Sequence, residues 1–233
     1  MYFLFFGYSL VFARLVPVVI IPLFFKYKPI SDTELRERII NLAVKMDLKI
    51  LDVFEIDFSK KTTKANAGFV GWGKTKRVIL TDTLKYKDSL PEIEVILAHE
   101  FAHYKLGHIF KLIIVSSSII TLSLYIIFKT RDYALRFFGL SSLSDIASFP
   151  VVLIYLILFS ILSKPLENYI SRRFEKQADL MALKSTGSKE SFISMIHKLS
   201  AQNLADMNPP PLIKIFFFDH PPVKERIAIA KSF

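Results

Sequence analysis

The sequence predicts a mainly α-helical membrane protein with a small β-hairpin or sheet. Apolar residues make up 52% of the 233 positions and gather into three long blocks instead of spreading along the chain. In the polar segments, apolar residues recur at helical spacing, while one short segment alternates and two others flank a glycine-rich turn. The blocks predict the membrane helices, and the short segments predict the strands.

The three apolar blocks cover residues 2–25, 109–128 and 147–162. A helix needs about 20 mostly apolar residues to cross the hydrocarbon core of a bilayer. The first two blocks are long enough, and the third is short unless neighbouring residues extend it. A secretory signal is a poor reading of the first block, which lacks a basic start and a small-residue cleavage site. The other two blocks have an alternative reading as buried helices of a soluble core.

Basic residues are distributed unevenly around these blocks. Residues 26–108 hold 15 Lys and Arg, residues 163–233 hold 11, and residues 129–146 hold three. The positive-inside tendency places both basic regions in the cytoplasm. We therefore expect a transmembrane helix at 1–25, a transmembrane hairpin at 109–162, and cytoplasmic regions at 26–108 and 163–233, in contact with membrane lipid.

Net charge and cysteine content exclude several classes of function. The net charge is +10, but no basic stripe with interleaved aromatics lies outside the apolar blocks, so nucleic acid is not an expected partner. The chain has no cysteine, which removes disulfides, thiolate metal sites and cysteine nucleophiles.

The polar segments predict these elements in chain order: a helix over 35–46, a strand over 50–58, a hairpin of 66–70 with 77–80, a helix from Pro91 through 109 that could run straight into the second block, a helix from Pro165 to 184 closed by Gly187, a helix over 190–204 and a short helix after Pro222. The residues around Asn208–Pro211 are predicted to be non-helical.

The predicted helix that begins at Pro91 contains the pattern H-E-x-x-H, formed by His99, Glu100 and His103. Residues four apart differ by about 40° around a helix, so both imidazoles point the same way and can grip one zinc ion. Zinc lowers the pKa of a bound water toward about 7, and Glu100 is adjacent to take its proton. The five residues alone are short enough to occur by chance.

A catalytic zinc needs a third protein ligand, and Glu175 is a candidate, with Asp179 four residues later on the same helical face. The alternative is a solvated charged face that also includes Arg172, Arg173 and Lys176. From the residues alone both readings stay open. His108 lies about 180° around the helix from His99 and cannot join the site without a break in that helix, so a structural or interfacial role is predicted.

A second motif competes with the metal site. Gly68–Thr75 matches the phosphate-loop pattern G-x-x-x-x-G-K-T. That loop binds phosphate only when a helix follows it, and here the residues after it read as a strand. Nucleotide binding is therefore disfavoured.

Taken together, these stretches resemble the CAAX prenyl protease type 1 group and its HtpX-like relatives. The resemblance extends from about residue 21 to Arg226, and five stretches carry it: Asn66-Ala67, residues 76–84, the H-E-x-x-H with His108, residues 171–179, and His220-Pro221-Pro222 with Arg226. It implies a zincin-like fold in which the H-E-x-x-H helix packs against a second helix that carries a metal ligand.

The resemblance also implies roles for individual residues. One zinc ion per chain would be held by His99, His103 and Glu175, and Asp179 would lie behind a ligand histidine. His220 would stabilise the oxyanion. Asn66, Ala67, Asn168 and Arg226 would contact a peptide or protein substrate, the first two by pairing with it as a β-strand.

The resemblance implies a zinc-dependent endopeptidase acting on extended, prenylated or membrane-associated proteins at the cytoplasmic membrane face. Two alternatives are an inactive zinc-binding scaffold of the same fold and a nucleotide-binding membrane protein. The sequence departs from the family in having Ala102 in place of a glycine and Gly68 in place of an aromatic residue. Family members also carry further membrane helices before the matched region, so we expect a fragment or a shortened relative.

Overall fold

The computed structural model describes residues 27–57, 67–70, 76–142, 145–202 and 206–233. The first apolar block, Asn66 and the turn residues 71–75 lie outside the described residues, so the predictions made for them stay predictions.

A four-stranded sheet forms one part of the described chain. Its strands are β1 (Tyr27–Pro29), β2 (Asp52–Ile56), β3 (Ala67–Val70) and β4 (Arg77–Thr81), in the spatial order β1-β2-β4-β3. β3 pairs antiparallel with β4, which confirms the predicted hairpin, and β2 pairs parallel with β4. Because a strand occupies 77–81, no helix follows the phosphate-loop pattern.

The sheet packs on helix α1 (Thr33–Lys45), which begins at the N-cap Asp32. The carboxylate of Asp32 accepts a hydrogen bond from the backbone N–H of Leu35 at 3.0 Å, satisfying one of the free donors of the first turn. Leu35 and Ile39 on α1 are fully buried with Val53 of β2 and Leu80 of β4. This cluster forms the main core.

A short helix α2 (Asp82–Lys87) leads into α3 (Leu90–Lys105), the helix that carries the H-E-x-x-H residues. A capping box opens α3, in which Glu92 accepts hydrogen bonds from the backbone N–H and the hydroxyl of Ser89 at 2.7 and 2.8 Å. Contrary to our prediction, α3 does not run on into the second apolar block. It ends at Lys105, and Gly107 has φ +66°, a left-handed conformation that a side chain would strain.

Two long apolar helices follow. Helix α4 (His108–Phe138) contains the second block, and α5 (Phe149–Thr186), entered through a 3₁₀ turn at Ile146–Ser148, contains the third. Their most apolar windows have mean hydropathies of 2.0 and 2.4 but are only 6% and 11% buried within the described chain. The reading as buried core helices is therefore wrong, and both helices are long and apolar enough to cross a membrane.

Helix α5 corrects a second prediction, because Pro165 lies inside it and does not start a new helix. Proline removes one backbone hydrogen bond and is disfavoured there, yet the surrounding turns continue on both sides. The predicted end of this helix is confirmed, since Gly187 caps it in the left-handed conformation at φ +67°.

Three helices complete the described chain: α6 (Lys189–Gln202), α7 (Pro211–Phe217) and α8 (Val223–Ser232). Helices α6 and α8 pack on α3 and α5 through a second apolar cluster that includes Val95, Leu183, Phe192 and Ala230. Helix α7 was not predicted, because the prolines at 209–211 obscured a start at Pro211, where proline is tolerated in the first turn of a helix.

Candidate active site

Helices α3 and α5 pack against each other and bring three predicted metal ligands together. The Nε2 atoms of His99 and His103 lie 3.0 Å apart. The carboxylate of Glu175 on α5 faces both rings, with its Oε2 atom 3.3 Å from His99 Nε2 and its Oε1 atom 3.2 Å from His103 Nε2. Glu175 is therefore buried at this point and does not belong to a solvated charged face.

The three donors fit a zinc ion in spacing and chemistry. Two ligand atoms bonded to one tetrahedral zinc at about 2.0–2.1 Å are roughly 3.3 Å apart, close to the separations observed here. Glu175 Oε2 is buried without a hydrogen-bond partner, an expensive state for a carboxylate unless a cation satisfies it. A set of two imidazoles and one carboxylate is typical of catalytic zinc.

Asp179 lies behind His99, one turn along α5 from Glu175. Its Oδ1 atom is 2.9 Å from His99 Nδ1. Arg226 on α8 donates two hydrogen bonds to the same carboxylate, at 2.8 and 2.5 Å. Asp179 is fully buried, so its charge is balanced by this arginine.

The negative groups around His99 control its proton affinity. Burial alone lowers the pKa of His99, but Asp179 and Glu175 outweigh burial and raise that pKa to about 9. A site that stabilises a positive imidazolium so strongly also stabilises a cation in its place. Burial raises the pKa of Glu100 above its usual range, which suits a carboxylate that takes and returns a proton.

A cleft of about 360 Å³ opens beside these residues. Glu100 and His220 line it together with His99 and Glu175. His220 Nε2 is 3.6 Å from Glu175 Oε2, and its Nδ1 is 2.8 Å from the carboxylate of Asp219. The imidazole is 57% exposed, so a ligand in the cleft can reach it.

The structure places the predicted substrate contacts in different surroundings. Ala67 lies in β3, at one edge of the sheet. The amide of Asn168 donates to the carbonyls of Ile215 and Phe216 at 3.2 and 2.8 Å, which ties it to α7. Arg226 contacts Asp179, although it also lines the cleft.

Two residues at the site were not predicted to be there. Arg172, which is buried, donates to the carbonyls of Lys214 and Phe218 at 3.0 and 2.5 Å and so supports the segment that leads to His220. His108 lies against His103, with their Nδ1 atoms 3.0 Å apart. The one feature of the sequence that indicates a break in this helix is Gly107, and the break lets the His108 ring approach His103.

A histidine pair on one helix with a carboxylate on a facing helix is the donor arrangement typical of a metalloprotease, and here it lies beside two helices long and apolar enough to cross a membrane.

Comparison with known proteins agrees with this class. The chain belongs to Peptidase family M48, whose family model matches residues 29–233. It is 32% identical over 232 residues to the uncharacterized metalloprotease YhfN of Bacillus subtilis, covering 97% of this chain and 54% of that protein. It is 34% identical over 232 residues to the CAAX prenyl protease 1 homolog of Arabidopsis thaliana, covering 94% of this chain and 52% of that protein.

Among solved structures, the chain is similar to the crystal structure of S. mikatae Ste24p. The TM-score is 0.76 at 32% sequence identity, over 98% of this chain and 57% of that one. The chain therefore spans about half the length of the relatives that it matches.

Proposed function

We propose that the protein is a zinc-dependent endopeptidase that holds one zinc ion through His99, His103 and Glu175. The observation that carries this proposal is a pair of imidazole nitrogens 3.0 Å apart, each 3.2 to 3.3 Å from one oxygen of the Glu175 carboxylate, with Oε2 of that carboxylate left without a hydrogen-bond partner. Membership of Peptidase family M48 supports the same chemistry. An inactive scaffold is disfavoured because a structural metal site has no use for Glu100.

Each residue of the site has a distinct role in this proposal. Bound zinc would polarise the attacking water and the scissile carbonyl. Glu100 takes a proton from that water and delivers it to the leaving amine, which its raised pKa favours. His220, which lines the cleft, donates a hydrogen bond to the carbonyl oxygen as negative charge develops there. Asp179 keeps the His99 ring in position.

We propose that the substrate binds as an extended strand along β3. In the described part of the chain, β3 has β4 on one side and no strand on the other. Its Phe69 ring packs against Phe101 and Tyr104 of the metal-binding helix, with centroids 4.8 and 4.9 Å apart. An added strand would therefore run beside α3, with Ala67 and, by the resemblance, Asn66 at its edge.

The two parts of the site must lie on one side of the membrane, and we propose the cytoplasmic side. Helices α4 and α5 form a hairpin in which Thr130 and Tyr155 share a hydrogen bond at 2.7 Å. The hairpin crosses the membrane and returns, so residues 26–108 and 163–233 meet again at the metal. The 26 basic residues of these two regions favour the cytoplasm over the three in 129–146.

Side-specific labelling tests this topology, because the chain has no native cysteine. Single cysteines at Lys87 and Ser188 should react with a membrane-impermeant reagent from the same side of a sealed vesicle. A cysteine at Ser141 should react only from the opposite side. Labelling of Lys87 and Ser188 from opposite sides would exclude the proposed site.

We further propose that the substrates are membrane-associated proteins, including prenylated ones. The proposal follows from the membrane helices beside the cleft and from the name of the Arabidopsis relative. Matched peptides with and without a prenyl group test it. A rate that does not depend on the prenyl group would favour general turnover of membrane proteins over prenyl-dependent processing.

Metal content and peptide hydrolysis, measured on the same purified full chain in detergent, test the central proposal. The wild type should contain one zinc per chain. Glu175→Ala should lose metal and activity, whereas Glu100→Gln should keep the metal and lose turnover by roughly 10²–10⁴-fold. Glu94→Gln is the matched control, since Glu94 lies on the same helix but pairs with Arg38. Wild-type turnover in Glu100→Gln would refute the mechanism.

A further inference from the structure

The break between α3 and α4 returns a buried histidine to the metal site. With Gly107 in the left-handed conformation, His108 starts a new helix and its ring turns back toward His103. His108 is fully buried and stacks on Phe174, with ring centroids 4.4 Å apart and planes 7° from parallel. Its position is therefore fixed on one face by an aromatic ring and at both nitrogens by polar partners.

Those polar partners define a chain of hydrogen bonds. The Nε2 atom of His108 lies 3.1 Å from the Oε1 atom of Gln177, and its Nδ1 atom lies 3.0 Å from the Nδ1 atom of His103. An amide oxygen only accepts, so His108 carries its hydrogen on Nε2. Its Nδ1 atom then holds a lone pair, and His103 must donate from Nδ1. His103 Nε2 is consequently left with its lone pair free.

The opposite arrangement fails at the neighbouring histidine. If Gln177 presented its NH₂ group, His108 would donate from Nδ1 and His103 would carry its hydrogen on Nε2, pointing toward His99 and Glu175. That hydrogen would occupy the position of a cation between His99 and Glu175. The arrangement with the Gln177 oxygen toward His108 is the one that leaves a lone pair on His103 Nε2, 3.0 Å from the Nε2 atom of His99.

We propose that His108 is a positioning residue which, oriented by Gln177, fixes the tautomer of His103 so that its Nε2 atom presents a lone pair to the metal. The inference rests on the metal site proposed above. The two ligand histidines then have different supports: His99 has the charged Asp179, and His103 has a neutral imidazole. The neutral support adds no negative charge to a site that already contains Glu175 and Asp179.

Two substitutions of His108 separate this role from simple packing. His108→Phe keeps an aromatic ring against Phe174 but cannot accept a hydrogen bond. His108→Asn loses the ring, yet its side-chain oxygen sits near the former Nδ1 position and can accept from His103. Loss of a group that orients a metal ligand typically weakens metal binding by about 10–100-fold. We expect that loss in His108→Phe and a smaller one in His108→Asn.

The affinity for zinc is measured by competition with a chelating dye on the purified full chain in detergent, and thermal unfolding without metal reports the fold of each variant. If packing were the only role, His108→Phe would bind zinc as tightly as the wild type and His108→Asn would be the weaker variant. That order would overturn the proposal. A wild type that binds no zinc would instead refute the proposed function.

Gln177 offers a second test that does not disturb the core, because its side chain is exposed. Gln177→Glu keeps an acceptor and should bind zinc at least as tightly as the wild type. Gln177→Lys offers only donors, favours the wrong tautomer of His108 and should weaken binding by about 10-fold or more. Leu180→Lys, one turn further along α5 and also exposed, controls for the added charge. Equal losses in the two lysine variants would contradict the proposed relay.

Discussion

Replacing Arg226 distinguishes a structural role from a role in substrate binding. The resemblance implies a contact between Arg226 and substrate, whereas the structure shows two hydrogen bonds to Asp179. Arg226→Met keeps most of the length of the side chain and removes its charge. The carboxylate of Asp179 would then remain fully buried, with His99 as its nearest polar neighbour.

The exposures of the two side chains set the size of the effect. Asp179 is 0% and Arg226 is 12% exposed, so this is a buried ion pair. Removal of one partner from such a pair costs about 3–5 kcal/mol. We expect the lower end, about 3 kcal/mol, because His99 still contacts the carboxylate. For a domain of this size, that corresponds to a decrease in apparent Tm of roughly 6–12 °C.

The assay is thermal unfolding of the purified chain in detergent with a metal chelator, so that loss of metal does not contribute. Arg38→Met is the control, because Arg38 pairs with Glu34 and Glu94 at the surface, and it should lower the apparent Tm much less than Arg226→Met does. The double variant Asp179→Asn/Arg226→Met should lose less stability than the two single variants added together. An unchanged Tm with a raised KM for peptide would refute the structural role.

Three further predictions concern other parts of the molecule. Glu92 accepts hydrogen bonds from Ser194 and Lys198 as well as from Ser89. Burial alone would raise the pKa of Glu92, but these partners lower it from 4.5 to about 2. Glu92→Gln should therefore lower the free energy of unfolding by about 2 kcal/mol at pH 7. Because the folded pKa is depressed, the deficit relative to the wild type should be complete above pH 4.5 and shrink as the pH falls toward 2, which denaturant unfolding at several pH values measures. His220→Ala should retain zinc, because His220 is not one of the three proposed ligands, but it should lose about 10²–10³-fold in turnover. Loss of the metal in this variant would contradict that role. Lys74→Ala should leave peptide hydrolysis intact, and tight ATP binding that depends on Lys74 would show that the phosphate-loop pattern is functional after all.

Local patterns predicted most of the described elements because each depends on neighbouring residues. The hairpin of 66–70 with 77–80, Pro91 in the first turn of α3 and Gly187 after α5 act within a few positions of the chain. The spacing of His99 and His103 fixed their common direction in the same way. The sequence alone left Glu175 undecided, since its pairing with α3 depends on the packing of two distant helices.

The errors arose where tertiary contacts override local preference. An apolar pattern continues across Gly107, so nothing in the periodicity marks the end of α3 or the return of His108 to the site. The sequence predicts that a helix starts at Pro165, but α5 continues through this proline. The roles of Asn168 and Arg172 depend on carbonyls of α7, some 40 positions away, and spacing within one helix carries no information about such partners.

Because α5 is continuous, its length sets the distance between the bilayer and the proposed site of cleavage. Its apolar block ends near residue 162, and Glu175 follows 13 residues later on the same helix, a rise of about 20 Å at 1.5 Å per residue. An extended peptide covers about 3.3 Å per residue, so in the proposed orientation a substrate anchored in lipid needs roughly six residues to reach the metal. If the lipid anchor of a substrate lies closer to the cleavage point, the anchor must leave the hydrocarbon core and bind to the surface of this protein. The length of α5 thus favours two kinds of substrate protein: those with a long segment between the lipid anchor and the cleavage point, and those whose lipid anchor binds to the protein itself.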